Sequence, residues 1–146
     1  MIAWHYTTGE KYELIKKCGL LLPADIGVTA PERPILWFST HQRFEPTALK
    51  PLASAQGIIR MLTMEELRDM AGGLVRFGCP VTRLKFGENL RKEAKMQSII
   101  WRGLAKSAAR VKASQSDWWG YVGSMALAEV TVEVMNYDKI WRSATA

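Results

Sequence analysis

The apolar positions of this chain come as short runs separated by polar, Gly-bearing and Pro-bearing stretches, with helical spacing in only a few places. Residues 2 to 6, Ile-Ala-Trp-His-Tyr, are apolar and aromatic enough for a short buried strand ending at Thr7 or Thr8. Thr7 and Glu10 then stand three apart, the spacing of a capping box, and Leu14, Ile15 and Cys18 share one helical face until Gly19 offers a left-handed stop. Leu20 to Leu22 reads as a second strand closed by Pro23. Residues 24 to 34, with Pro31 and Pro34, read as a loop, and Ile35 to Ser39 as a compact buried strand. From Thr40 to Gln56 the pattern is irregular, with Pro46 and Pro51 breaking any long helix. Ile58 to Leu62 has strand character, and Thr63 and Glu66 repeat the capping-box spacing ahead of a helix that stops by Gly72-Gly73.

In the second half, Leu74 to Phe77 and Val81 to Phe86 predict strands interrupted by a turn or bulge at Gly78-Cys79-Pro80. Glu88 to Lys112 places Leu90, Ala94, Ile99, Ile100, Leu104, Ala108 and Val111 close to the helical period, and Gly103 leaves open one helix or two. After Ser114-Gln115-Ser116 comes Asp117-Trp118-Trp119-Gly120, where adjacent tryptophans on a strand must face opposite sides and one packs inward. Leu127 to Val134 is rich in β-formers and predicts the closing strand. Strands are not paired regularly with crossover helices, which favours an α+β fold over a doubly wound parallel sheet. Without a repeat, a low-complexity tract or a long linker, residues 1–146 are expected to form one domain.

Composition narrows this picture. A chain of 146 residues that is 48% apolar matches one ordinary core. No apolar run approaches the roughly 20 residues that span a bilayer, and the N-terminus lacks a signal pattern, so a cytoplasmic protein without membrane contact is expected. Cys18 and Cys79 have no CxxC or Cys/His company and read as free, buried thiols, with no metal site. A net charge of +6 suits an anionic partner: nucleic acid, a nucleotide or an acidic protein surface. The cations gather at Arg83, Lys85, Arg91, Lys92, Lys95 and Arg102, then at Lys106, Arg110 and Lys112. A nucleophile elbow and a Gly-rich phosphate loop are both missing, which leaves Ser-His-Asp catalysis unsupported.

Three segments carry a resemblance. Trp4-His5-Tyr6-Thr7, followed by Leu14-Ile15 and Cys18-Gly19-Leu20, places a His at the end of the first strand ahead of a helix and a Gly turn. Ile35-Leu36-Trp37-Phe38-Ser39-Thr40 is a strand with an aromatic, then Phe and a small residue, and Asp117 is an acid ahead of the closing strands, with Glu129 as its alternative. In this order the segments resemble ADP-ribosyltransferases of the poly-ADP-ribose polymerase and diphtheria-toxin branch, close to a bacterial group with a His-Tyr-Asp signature. The match covers both ends of the chain and hardly the middle. It departs twice, with Trp37 where Tyr is usual and Asp117 where Glu is usual.

The resemblance implies split sheets enclosing a NAD cleft, with peripheral helices. It implies a mono-ADP-ribosyltransferase that uses NAD and acts on a macromolecular protein or nucleic-acid target, as a monomer or small homo-oligomer, in the setting of a toxin or a phage anti-defence effector. Asp117 and His5 would be catalytic. His5, Tyr6, Thr7, Trp37, Ser39, Phe44 and Arg43 would bind the dinucleotide: His5 at a ribose, the Tyr6 backbone at the carboxamide, Trp37 and Phe44 sandwiching nicotinamide, and Ser39 with Thr40 near the ribose. Arg43 and Arg33 would reach the pyrophosphate. His41 and Glu45 stand in reserve. Two other readings remain: an inactive relative that inhibits a protein partner, and a basic nucleic-acid-binding or RNA-modifying domain.

Overall fold

The computed structural model describes residues 1–53, 55–57, 59–135 and 137–144. The chain is α+β. In order it forms β1 (Ile2–Thr8), α1 (Gly9–Cys18), β2 (Leu20–Leu21), β3 (Ile35–Ser39), β4 (Pro51–Ala53), β5 (Ile59–Met61), α2 (Met64–Met70), β6 (Leu74–Pro80) and β7 (Lys85–Phe86). There follow α3 (Gly87–Glu93), α4 (Ser98–Arg110), β8 (Trp118–Val122), β9 (Met125–Ala126), β10 (Thr131–Met135) and β11 (Trp141–Ser143). Seven strands make one antiparallel sheet in the order β11-β10-β6-β1-β3-β8-β7, and β2–β9 and β4–β5 form separate pairs. No helix among the described residues is long and apolar enough to cross a membrane.

Side chains alternate across the sheet and sort the core into layers. Ala3, Leu36, Phe38, Val75, Phe77 and Cys79 face one way, where Tyr12 and Ile15 of α1 cover them together with Leu21 and Met125 of the β2–β9 pair. The opposite face carries two separate clusters. Trp4 and Tyr6 pack with Phe44, Leu62 and Leu67 at one end, while Ile35 packs with Leu90, Ala94 and Met96 at the other. Gly120 permits the second cluster, because a Cβ there would lie 2.7 Å from Ile35 and 2.8 Å from Leu90, a fully buried side chain. Between these clusters the face is left open.

Several boundaries differ from the sequence expectation for local physical reasons. Thr8, not Thr7, caps α1, accepting from the Lys11 amide, and Gly19 at φ 74 closes the helix as expected. Tyr12 and Ile15 form its packing face, whereas Leu14 is 59% exposed and Cys18 is exposed, so only Cys79 is a buried thiol. Burial pushes the Cys79 thiol pKa up. The capping box of Thr63 and Glu66 forms. Ile58, the expected start of the strand at 58–62, lies outside the described residues.

The strand at 74 does not break at Gly78-Cys79-Pro80: it pairs with β1 along its whole length, to Ile2 opposite Pro80, and proline ends it. Residues 81–83 are instead a helical turn, leaving only Lys85–Phe86 of the expected strand paired in the sheet. The long helical stretch splits after Glu93 rather than at Gly103. Lys95 takes φ 53, its amide bonds to Lys92 O and the Met96 amide to Arg91 O, a left-handed helix stop built without glycine. Leu127–Glu129 is a turn, so the closing strand starts at Thr131, and β11 follows it.

Candidate functional site

The open stretch of the sheet face is a cleft of about 450 Å³. Its floor is Trp4, Trp37, Ser39 and Trp118, one wall is Leu104 and Ala108 of α4 with Val111 just past its end, and the other is Glu45 to Ala48 with Met61. The floor follows from register: Trp4 lies opposite Ser39 and Ser39 opposite Trp118, so all three share a face with Trp37. The Trp37 ring meets the Trp118 edge at 5.6 Å and lies 6.1 Å from Trp101.

Among the described residues Glu45 is the one carboxylate lining this cleft, and it is only 6% exposed. Ser39 Oγ donates to it at 2.7 Å, Thr47 Oγ1 at 2.8 Å and Trp118 Nε1 at 3.0 Å. None of these donors carries charge, and no cation pairs with Glu45 among the described residues. A carboxylate offers about four lone-pair sites, so roughly one remains for a ligand. Leaving an uncompensated charge in an apolar site costs stability, which marks such positions as functional candidates.

The loop that delivers Glu45 is held from below by three strands. Tyr6 OH donates to His41 O, Arg76 Nη1 to Gln42 O at 2.6 Å, and Trp141 Nε1 to Arg43 O at 2.8 Å. Phe44 then plugs the core 5.0 Å from the Tyr6 ring, and Pro46 starts a tight turn that sends Glu45 inward. Arg76 is itself buried, with its guanidinium 3.7 Å above Trp4 and 4.6 Å from Trp141, and its Nε donates to Glu133 at 2.8 Å. Burial pushes the Tyr6 phenol up to about 12 despite the bond from Arg76, so it stays a neutral donor at ordinary pH.

His5 occupies the place where the large sheet opens. β1 and β3 share the registered pair Trp4–Ser39, and beyond it the β3 residues Phe38 and Trp37 are in register only with β8. The His5 ring lies between Phe38 and Phe77, and its Nδ1 is 2.7 Å from Trp37 O, a backbone acceptor that the parted ladder leaves free. A carbonyl oxygen only accepts, so Nδ1 carries the hydrogen and Nε2 of the neutral ring is an acceptor. Burial lowers the His5 pKa from its ordinary 6.5, the Trp37 carbonyl partly offsets this, and the nearby Lys50 charge lowers it further.

Of the residues expected at a site, the cleft gathers His5, Tyr6, Trp37 and Ser39. It does not gather Asp117, Thr7, Phe44 or Arg43. Asp117 sits in the turn before β8, where its carbonyl accepts from the Thr40 amide at 2.9 Å and its carboxylate meets Thr40 Oγ1 at 3.4 Å. Thr7 is spent in the ladder opposite Val75, Phe44 is core, and Arg43 is exposed. Tyr6 lines the cleft, but its hydroxyl points into the loop anchor. Glu129 is exposed and paired with Arg83 at 3.2 Å, and Arg33 and His41 are exposed outside the cleft. Glu45, only a reserve candidate by sequence, is the acid that the cleft gathers, and Arg76 was not among the expected residues. Arg76 had a signal, a single charge within the apolar run Leu74-Val75-Arg76-Phe77. No family model, curated protein or solved structure matches the chain.

Proposed function

We propose that the cleft binds the nicotinamide end of NAD and that the protein is an ADP-ribosyltransferase-like enzyme in which Glu45, rather than Asp117, is the acid. The observation that carries this reading is a buried carboxylate with only neutral partners at the edge of a tryptophan floor. The nicotinamide ring of NAD is flat and cationic. It stacks favourably on indole faces and supplies the positive charge that Glu45 lacks. The single registered pair between β1 and β3 is the feature that supports the split-sheet part of this reading, with both strands in one seven-stranded sheet.

In the reaction, the bond between ribose C1 and the nicotinamide nitrogen breaks and its electron pair leaves with nicotinamide. Positive charge then moves to the ribose ring, as in glycoside hydrolysis, and a fixed carboxylate in a dry site stabilises it. A nucleophile on a macromolecular target bonds to C1 and releases a proton. Trp37 and Trp118 hold the ring, and His5 braces the floor from the other face of the sheet through its bond to the Trp37 carbonyl.

A second reading, an inactive relative that retains the pocket, draws on the three donors already occupying Glu45. Calorimetry with NAD and with nicotinamide, followed by assay of nicotinamide release, tests both. Glu45→Gln is expected to weaken NAD binding tenfold or more, and Asp117→Asn to leave it unchanged. Binding without release selects the inactive relative. If NAD does not bind, or if Asp117→Asn is the damaging change, the assignment is wrong.

A further inference from the structure

Helix α4 has a second face that the cleft does not use. Between Glu93 and Asp117 the chain carries Lys95, Arg102, Lys106, Arg110 and Lys112 and no Asp or Glu. Arg102, Lys106 and Arg110 are exposed, and none forms an ion pair among the described residues. Most other arginines are spent on acids: Arg60 on Glu66, Arg68 on Asp69, Arg76 on Glu133, Arg83 on Glu129, Arg91 on Glu88 and Arg142 on Asp138.

The three cations recur every fourth residue, so they form one row with steps of about 6 Å along the helix axis. Each four-residue step also advances about 40° beyond a full turn. The row therefore begins at Arg102 on the side away from the cleft and winds towards it, so that Arg110 ends about 60° around the helix from Ser107. Ser107 lines the cleft. Gly103, Ala105 and Ala109 beside the row are small, which lets a backbone approach, and Ile99 at 68% exposure adds an apolar contact ahead of its first cation.

We infer that this row binds a single-stranded nucleic acid along its phosphate backbone and leads it to the rim of the cleft. A single line of cations follows one backbone, and it exceeds what the two phosphates of a dinucleotide need. Phosphate contacts of this kind carry affinity without sequence preference. The inference rests on the NAD reading only in making the bound strand the acceptor of transfer. Binding itself does not depend on it.

The test is fluorescence anisotropy of a labelled oligothymidine and a labelled oligouridine against the full chain over a range of salt. Expected is binding whose logarithm falls with log salt at a slope of about 2, from three phosphates on a single strand. R102Q/K106Q/R110Q should weaken it at least tenfold and flatten the slope, with an unchanged circular dichroism spectrum and melting temperature because all three side chains are exposed. Glu45→Gln should bind as wild type, so failure of the NAD reading leaves this result intact. Absence of binding, a triple variant that binds as tightly, or displacement by polyglutamate as effective as by unlabelled oligonucleotide would each overturn it, the last in favour of an acidic protein partner.

Discussion

Glu45 and Arg76 are equally buried, at 6% and 7% exposure, yet the fold meets their charges in different ways. Arg76 has an ionic partner in Glu133, two indole faces, a backbone carbonyl and the Tyr6 hydroxyl. Glu45 has a serine, a threonine and an indole N–H, all neutral. An ion neutralised inside the fold is part of its architecture, while one left with its net charge is poised for something that arrives from outside. The two are also connected, because Arg76 holds the carbonyl of Gln42 three residues before Glu45.

The largest effect is expected at the completed site. Arg76→Met strands the Glu133 carboxylate and the Gln42 carbonyl, and should cost about 3–5 kcal/mol in urea unfolding. Loosening the loop should weaken cleft binding as well. Glu45→Gln keeps the shape and most acceptors, so its stability should change by about 1 kcal/mol while ligand binding weakens tenfold or more. Equal destabilisation by the two changes would break the distinction between them.

The smallest effect is the pH response of His5. Its native pKa lies below its ordinary 6.5, so on acidification the unfolded chain takes up a proton before the folded chain does. This contribution to stability is present above pH 6.5 and is lost as pH falls through 6.5 towards the native value. Unfolding of wild type and His5→Gln followed from neutral to mildly acidic pH checks the sign: the wild type should lose stability more steeply. A histidine that gains stability in acid would mean a ring held in its charged form, and would break the assignment of a buried neutral ring bonded to the Trp37 carbonyl.

Much of the local architecture was legible because it depends on neighbours in sequence. The apolar run Ile35–Ser39, the capping box of Thr63 and Glu66, and the left-handed stop at Gly19 all appear where their residue types demand. The break after Glu93 was not legible, since it uses a lysine in a conformation that normally advertises itself by glycine. The site divides in the same way. Trp37 and Ser39 reach the cleft floor because strand alternation and one register pair suffice to place them, whereas the His5 side chain goes to the other face, against Phe38 and Phe77. Asp117 stays in its turn and Phe44 goes to the core.

What the sequence by itself determined was a set of short strands and helices, the α+β class, and the place of Trp37 among the cleft residues, because periodicity and turn chemistry act over a few residues. Only the tertiary structure decided which acid enters the cleft. Glu45 arrives there because Tyr6, Arg76 and Trp141, from β1, β6 and β11, grip three successive carbonyls of its loop. Contacts between residues 34, 35 and 98 positions apart leave no trace in local pattern. They fix where a loop turns, and with it which carboxylate is buried.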